Sequence, residues 1–158
     1  MGLLQPLFYL GWIMIDVKIK KITENAKLPE RMTEHAAGYD LYSANKENII
    51  LEPGKMAKVP TGIAISLPIN YEAQIRPRSG LAYKFQIGVL NSPGTIDADY
   101  RGEIGILMFN FGEDNFIIKP QMRIAQMVIA KHEVANFLIS EELDETKRND
   151  GGFGHSNY

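Results

Sequence analysis

The sequence predicts an all-β domain, a barrel or a sandwich. Three observations carry that expectation. The apolar residues recur in short runs, alternating or apolar on both parities, with no sustained helical period. Proline and glycine separate those runs at short intervals, as at Pro53–Gly54 and Pro93–Gly94. No heptad, internal repeat or low-complexity linker interrupts the 158 residues, and that length suits one domain with a sizeable core.

The elements follow in order. Residues 1–15, MGLLQPLFYLGWIMI, carry no charge. They are fewer than the ~20 apolar residues of a membrane span. They also lack the basic start and small-residue cleavage site of a signal peptide. We read residues 1–13 as a loosely attached extension, with Met14 an alternative start. Ile15, Val17 and Ile19 then alternate with Asp16, Lys18 and Lys20, the pattern of a half-buried strand. Pro29 and Gly38 break AKLPERMTEHAAGYDLYS, which reads as loop then strand. Asp40 lies beside Gly38, where the backbone can pass close to another group. ENIILEPGKMAKVPTGIAISLP reads as strand, turn and strand, with Val59, Thr61, Ile63, Ile65 and Leu67 on one face.

In YEAQIRPRSGLAYKF, Tyr71, Ala73 and Ile75 alternate with Glu72, Gln74 and Arg76. Arg78 continues the polar parity past Pro77. Residues 81–85 read as one helical turn capped by Ser79, and free backbone N–H groups there, beside arginines, suit an anion. EIGILMFNFG and RIAQMVIAK are apolar on both parities and read as covered central strands. Gln126 interrupts the second, and a buried amide needs partners. FIIKP adds a short strand, and ANFLIS closes the core.

Charge and composition exclude several function classes. The formal net charge is -2, so no broad nucleic-acid footprint exists, and a bound polyanion must be met by local arginines. There is no cysteine, which removes disulfides, thiol catalysis and cysteine metal sites, and suits a reducing compartment. His35, His132 and His155 are too scattered to read as a zinc motif.

Two stretches can carry chemistry. NSPGTIDADYRGE, residues 91–103, lies between FQIGVL and IGILMFNF and reads as a reversal between two strands. Pro93 presets φ at the turn, and Gly94 accepts positive φ. In extended backbone Asp97, Asp99 and Arg101 share one face, and Ile96, Ala98 and Tyr100 the other. Two readings stay open: a charged hairpin edge that discourages aggregation, or an active site. Residues 141–158 turn from charged to glycine-rich and bury too little to order themselves. They read either as a frayed tail or as an arm that orders over a ligand, with Arg148 on phosphate and Phe153 on a base.

Five motifs in order resemble the trimeric dUTPase family: AAGYDLYS (36–43), RPRSGLA (76–82), NSPGTIDADYRGE (91–103), RIAQM (123–127) and RNDGGFGHS (148–156). Together they span nearly everything after Met14. The resemblance implies a distorted jelly-roll β-barrel over residues 14–140, with one short helical turn and a flexible C-terminal arm over 141–158. It implies a cytoplasmic homotrimer with active sites shared between subunits, and no stable nucleic-acid or membrane partner. It implies hydrolysis of dUTP to dUMP and pyrophosphate, with Mg2+ on the triphosphate and water attacking the α-phosphorus.

Residue by residue, the resemblance makes Asp97 the base. Arg78, Ser79, Gly80 and Gln126 become triphosphate contacts, and Asn91, Gly94, Thr95 and Ile96 the uracil-reading hairpin. Tyr100 packs on the deoxyribose. Arg148, Phe153, Gly154 and His155 belong to the closing arm, and Asp40 lies near the metal's water shell. Three departures stand out. Asn149 replaces a frequent glycine, His155 replaces a usual serine, and Gln121–Met122 replaces a common Gly-Asp before RIAQ. A sibling enzyme on the same fold, a dCTP deaminase, would instead need a glutamate base, for which Glu103 is the candidate.

Overall fold

Short strands form over most of the alternating and doubly apolar runs. The computed structural model describes residues 14–152; the expectations for residues 1–13, Phe153, Gly154 and His155 lie outside them. Eleven strands and one helix occur among the described residues. They are β1 (Lys18–Lys21), β2 (Gly38–Tyr42), β3 (Ile49–Leu51), β4 (Met56–Pro60), β5 (Ile63–Ser66) and β6 (Tyr71–Arg76). Helix α1 (Ser79–Phe85) follows, then β7 (Ile87–Val89), β8 (Gly94–Ile96), β9 (Gly105–Asn110), β10 (Phe116–Ile118) and β11 (Arg123–Lys131).

All strand pairs are antiparallel and fall into four sheets, ordered β2-β11-β6-β8, β4-β9-β7, β1-β5 and β10-β3. This is the jelly-roll-like barrel that the motifs imply. Central position explains the two richest apolar runs. β11 lies between β2 and β6, and Ile124, Ala125 and Met127 are buried. β9 lies between β4 and β7; Ile106, Met108 and Asn110 are buried, while Gly105, Leu107 and Phe109 are only half-buried. One face of β9 is therefore fully covered and the other partly, less than the sequence suggests.

The run from Val59 to Leu67 keeps its parity but not its continuity. Val59, Thr61, Ile63, Ile65 and Leu67 are all buried. Yet the strand breaks at Gly62, whose φ is +69°. β4 pairs with β9, whereas β5 pairs with β1. At the corner the Thr61 hydroxyl donates to the Ile104 carbonyl at 2.6 Å, and the Gly62 N–H donates to Glu103 Oε1 at 2.7 Å. The Gly62 N–H, which has no ladder partner, is thus satisfied by a side chain as the chain changes sheet.

Asn110, fully buried, does similar work at the end of β9. Its Nδ2 donates to the carbonyls of Leu51 (2.9 Å) and Asp114 (2.8 Å), and its Oδ1 accepts from Gly112 N–H at 2.9 Å. This fixes the turn into β10 against β3.

One expectation holds in part and another fails. Ile15 and Val17 are half-buried between the exposed Asp16 and Lys18, as the alternation predicts, but β1 itself is exposed along its length, with Ile19 38% accessible. ANFLIS does not close the core: regular structure ends at Lys131, and Phe137 is 92% and Ile139 104% exposed.

Candidate active site

β2, β11 and β6 set one row of polar side chains. Their register aligns Asp40 with Gln126 and Gln126 with Arg76. Asp40 is only 9% exposed, and its carboxylate takes two guanidiniums. Arg78 Nε lies 3.4 Å from Oδ1, and Arg123 Nη1 donates to Oδ2 at 3.1 Å. A buried carboxylate is costly unless paired; two arginines do more than offset it and leave the cluster with a net positive charge. Arg78 is also tied to its neighbour, with Nη1 donating to the Arg123 carbonyl at 3.3 Å. Asp40 was expected beside a metal's water shell. Its oxygens hold two arginines.

Gln126 donates through Nε2 to the Pro77 carbonyl at 2.9 Å, which leaves its second amide hydrogen available. Its side chain lies against Gly38, where a Cβ would collide with Oε1. The close approach expected at Gly38 is therefore this amide.

Past Pro77 the helix opens. Arg78, in extended conformation (φ -88°, ψ 127°), is its N-cap, and no side chain caps it. Ser79 was expected in that role; it is instead the first helical residue, so its hydroxyl has no capping duty. Ser79 and Gly80 are exposed, and a Cβ on Gly80 would meet nothing within 4 Å. The chain itself makes no demand for glycine there.

The reversal at 91–103 is real but longer than a hairpin. β7 and β9 are antiparallel neighbours. Between them the chain crosses to the other sheet, where β8 pairs with β6 through Gly94↔Ile75, Thr95↔Gln74 and Ile96↔Ala73. The Ser92–Pro93 peptide is cis. Gly94 is a buried strand residue, not a left-handed one. A Cβ there would crowd the Asn91 side chain, lying 3.1 Å from its Nδ2.

After Asp97 the backbone turns, and Tyr100 N–H donates to the Asp97 carbonyl at 3.1 Å. Asp97, Asp99 and Arg101 therefore do not line one extended face. Arg101 folds back, its Nη1 donating to the carbonyls of Ala98 (2.6 Å) and Tyr100 (2.8 Å). The Tyr100 hydroxyl donates to the Glu103 carbonyl at 3.1 Å, and the ring covers Gly102. The Asp97 carboxylate is exposed and makes no hydrogen bond or ion pair among the described residues.

Two groups result. One is Asp40, Arg78, Arg123 and Gln126; the other is Asn91, Gly94, Asp97 and Tyr100. Among the described residues no side-chain hydrogen bond or ion pair joins them. Arg148 stands apart, on the exposed arm. Arg123 is the residue that sequence reasoning missed as a site residue. Its only signal was a position three before Gln126 in RIAQM, and its pairing with Asp40 comes from a β-bulge between Arg123 and Ala125.

Arginines anchored beside a half-buried amide suit a chain of phosphates, and an unpaired carboxylate on a rigid strand end suits proton abstraction. On a jelly-roll barrel, these define an enzyme of the nucleotide-hydrolase class. The family model for dUTPase matches residues 24–157. The chain is 50% identical over 144 residues to the deoxyuridine 5'-triphosphate nucleotidohydrolase of Syntrophotalea carbinolica, covering 91% of this chain and 98% of that one. It is 57% identical over 140 residues to the enzyme of the same name from Rickettsia bellii, covering 88% and 93%. The structure of Staphylococcus bacteriophage 80alpha dUTPase with dUPNHPP superposes with a TM-score of 0.80 at 28% identity, covering 92% of this chain and 100% of that one. This chain belongs to the dUTPase family.

Proposed function

We propose that the protein hydrolyses dUTP to dUMP and pyrophosphate in the cytoplasm, keeping uracil out of DNA and supplying dUMP for thymidylate synthesis. The observation that carries the mechanism is the unpartnered Asp97 carboxylate at the end of β8. In this reading Asp97 accepts a proton from a water molecule as that water attacks the α-phosphorus. The bond from the α-phosphorus to its bridging oxygen breaks, and pyrophosphate leaves. A positioned carboxylate contributes about 10²–10⁴-fold in such a role.

Charge that builds on the phosphoryl oxygens is met by Arg78, held in place by Asp40, and by the free amide hydrogen of Gln126. Ser79 donates its hydroxyl, and the open space at Gly80 admits a phosphate close to the backbone. The β8 edge and Asn91 read uracil, with Thr95 and Ile96 supplying backbone groups. Tyr100, braced by its bond to Glu103, packs on the sugar. Arg148, with Phe153, Gly154 and His155, closes the site.

Mg2+ belongs to the substrate in this scheme. Among the described residues no three His, Cys, Asp or Glu side chains cluster to hold a metal, and Asp40, paired with Arg78 and Arg123, would stand near the ion's water shell rather than on the ion. Chelated by the triphosphate, the ion offsets phosphate charge.

We further propose that the active sites are shared between subunits of a homotrimer. One residue beyond the Ile96↔Ala73 pair, Asp97 falls beside Glu72, six residues before Arg78. Six extended residues span about 20 Å, too far for one chain to place both groups around an α-phosphate. A second copy removes the difficulty. Surfaces for assembly exist: the exposed Phe137, Leu138 and Ile139, and a groove of about 920 Å³ whose lining includes Ile15, Val17, Ile65, Met127 and Ile129.

The test is pyrophosphate release from dUTP, dCTP, dTTP and UTP, with and without Mg2+. Release confined to dUTP is expected; equal turnover of the four would reject uracil selection. Ammonia from dCTP would point to the deaminase sibling. The structure does not favour that reading, because Glu103 Oε1 is already engaged by the Gly62 N–H. Among the described residues no helix is long and apolar enough to cross a membrane.

A further inference from the structure

We propose that Thr146 and Asn149 are positioning residues that fold the start of the arm into a preformed turn and hold Arg148 ready for phosphate. The proposal rests on the reading above that Arg148 meets the substrate. Thr146 Oγ1 accepts from the N–H of Asn149 at 2.9 Å and from that of Arg148 at 3.3 Å. Asn149 Oδ1 returns the bond, accepting from the Thr146 N–H at 2.7 Å. This reciprocal closure follows the logic of a capping box, yet no helix follows it.

A turn follows instead. Gly151 N–H donates to the Arg148 carbonyl at 2.9 Å, and Arg148 Nε donates to the Gly151 carbonyl at 2.8 Å. Arg148 is thus tied at its N–H, its carbonyl and its Nε. Neither Nη group has a partner among the described residues. The turn needs a left-handed residue, and Asn149 supplies it with φ +43°; asparagine adopts that region more readily than most side chains.

Residues 141–150 are exposed, so the barrel does not impose this conformation. A disordered arm would bind only in the fraction of time it is competent, and apparent affinity falls by that fraction. The box raises the fraction. The glycine that is frequent in place of Asn149 would satisfy the turn, but it has no oxygen to return to Thr146. In this chain the asparagine converts a hinge into a brace.

The test uses the full-length enzyme and four variants: Thr146→Val, Asn149→Gly, the double substitution, and Arg148→Ala as reference. Each single box variant is expected to raise KM for dUTP about two- to ten-fold, the range of one hydrogen bond. The value of kcat and the thermal midpoint should hold. The double variant should be no worse than the worse single one, because the two side chains act as a unit. Wild-type KM in the single variants, with Arg148→Ala raised, overturns the positioning role. Independent, multiplying effects overturn it as well. If Arg148→Ala itself leaves the kinetics unchanged, the phosphate role of the arm falls, and the brace falls with it.

Discussion

Asp97 and Asp40 sit in opposite surroundings. Asp40 is buried and gives its oxygens to Arg78 and Arg123. Asp97 is exposed and unpartnered among the described residues, and that freedom is what a base requires. Asp97→Asn keeps shape and polarity but cannot take the proton. We expect dUTP binding within about two-fold of wild type and turnover lower by about 10²–10⁴, read by calorimetry with dUPNHPP and by steady-state kinetics. Near-normal turnover would remove Asp97 as the base. Gln121 makes a separate prediction. Its φ is +58°, where a common Gly-Asp has been replaced. A side chain there costs about 1–2 kcal/mol and glycine about 0.5–1 in unfolded-state freedom. Gln121→Gly should therefore raise stability by about 0.5–1 kcal/mol, provided the bond from its N–H to the Ser43 carbonyl is kept. A lower urea midpoint would contradict this.

At the scale of elements, the corner between β4 and β5 is where the fold closes. Gly62 and Gly54 share nearly the same φ, +69° and +67°. Their surroundings differ. A Cβ on Gly54 meets nothing within 4 Å, whereas one on Gly62 collides with Thr23 Oγ1 and lies 2.7 Å from Ala26 Cβ. Gly54→Ala should cost about 1 kcal/mol, the strain alone. Gly62→Ala should cost about 2 kcal/mol more, since overpacking adds about 1–3. Equal urea midpoints for the two variants would show that the corner yields. Here too lies the limit of what the sequence reveals. Alternation at Val59, Thr61, Ile63, Ile65 and Leu67 shows which side is buried. It does not reveal that the strand changes partners at Gly62, because parity is local and pairing is not. The same holds for Ser79, legible as a helix start yet one residue inside the cap. Gly94 was read as a turn glycine, yet it opens a strand beside Asn91.

At the scale of the molecule, no side-chain hydrogen bond or ion pair among the described residues joins the group around Asp40 to the group around Asp97. The five motifs were legible because each preserves a local arrangement. Their assembly was not, because Asp97 and Arg78 lie toward opposite ends of the β6–β8 pairing, and Phe137 and Ile139 are exposed among the described residues. If active sites draw Asp97 from one copy and Arg78 from another, two inactive variants must complement. Asp97→Asn and Arg78→Ala are each expected to be nearly inactive as pure assemblies. Unfolded together in equal amounts and refolded, they form mixed trimers. A working site then needs its Asp97 from an Arg78→Ala subunit and its Arg78 from an Asp97→Asn subunit. Random mixing in a closed symmetric ring supplies that combination at about one site in four. Recovered activity should approach a quarter of wild type on that estimate. Mixing the folded variants without unfolding should recover little at first, if exchange is slow. A refolded mixture no more active than its components would place each site within one subunit, with the chain bending at Pro77 to bring Arg78 toward Asp97.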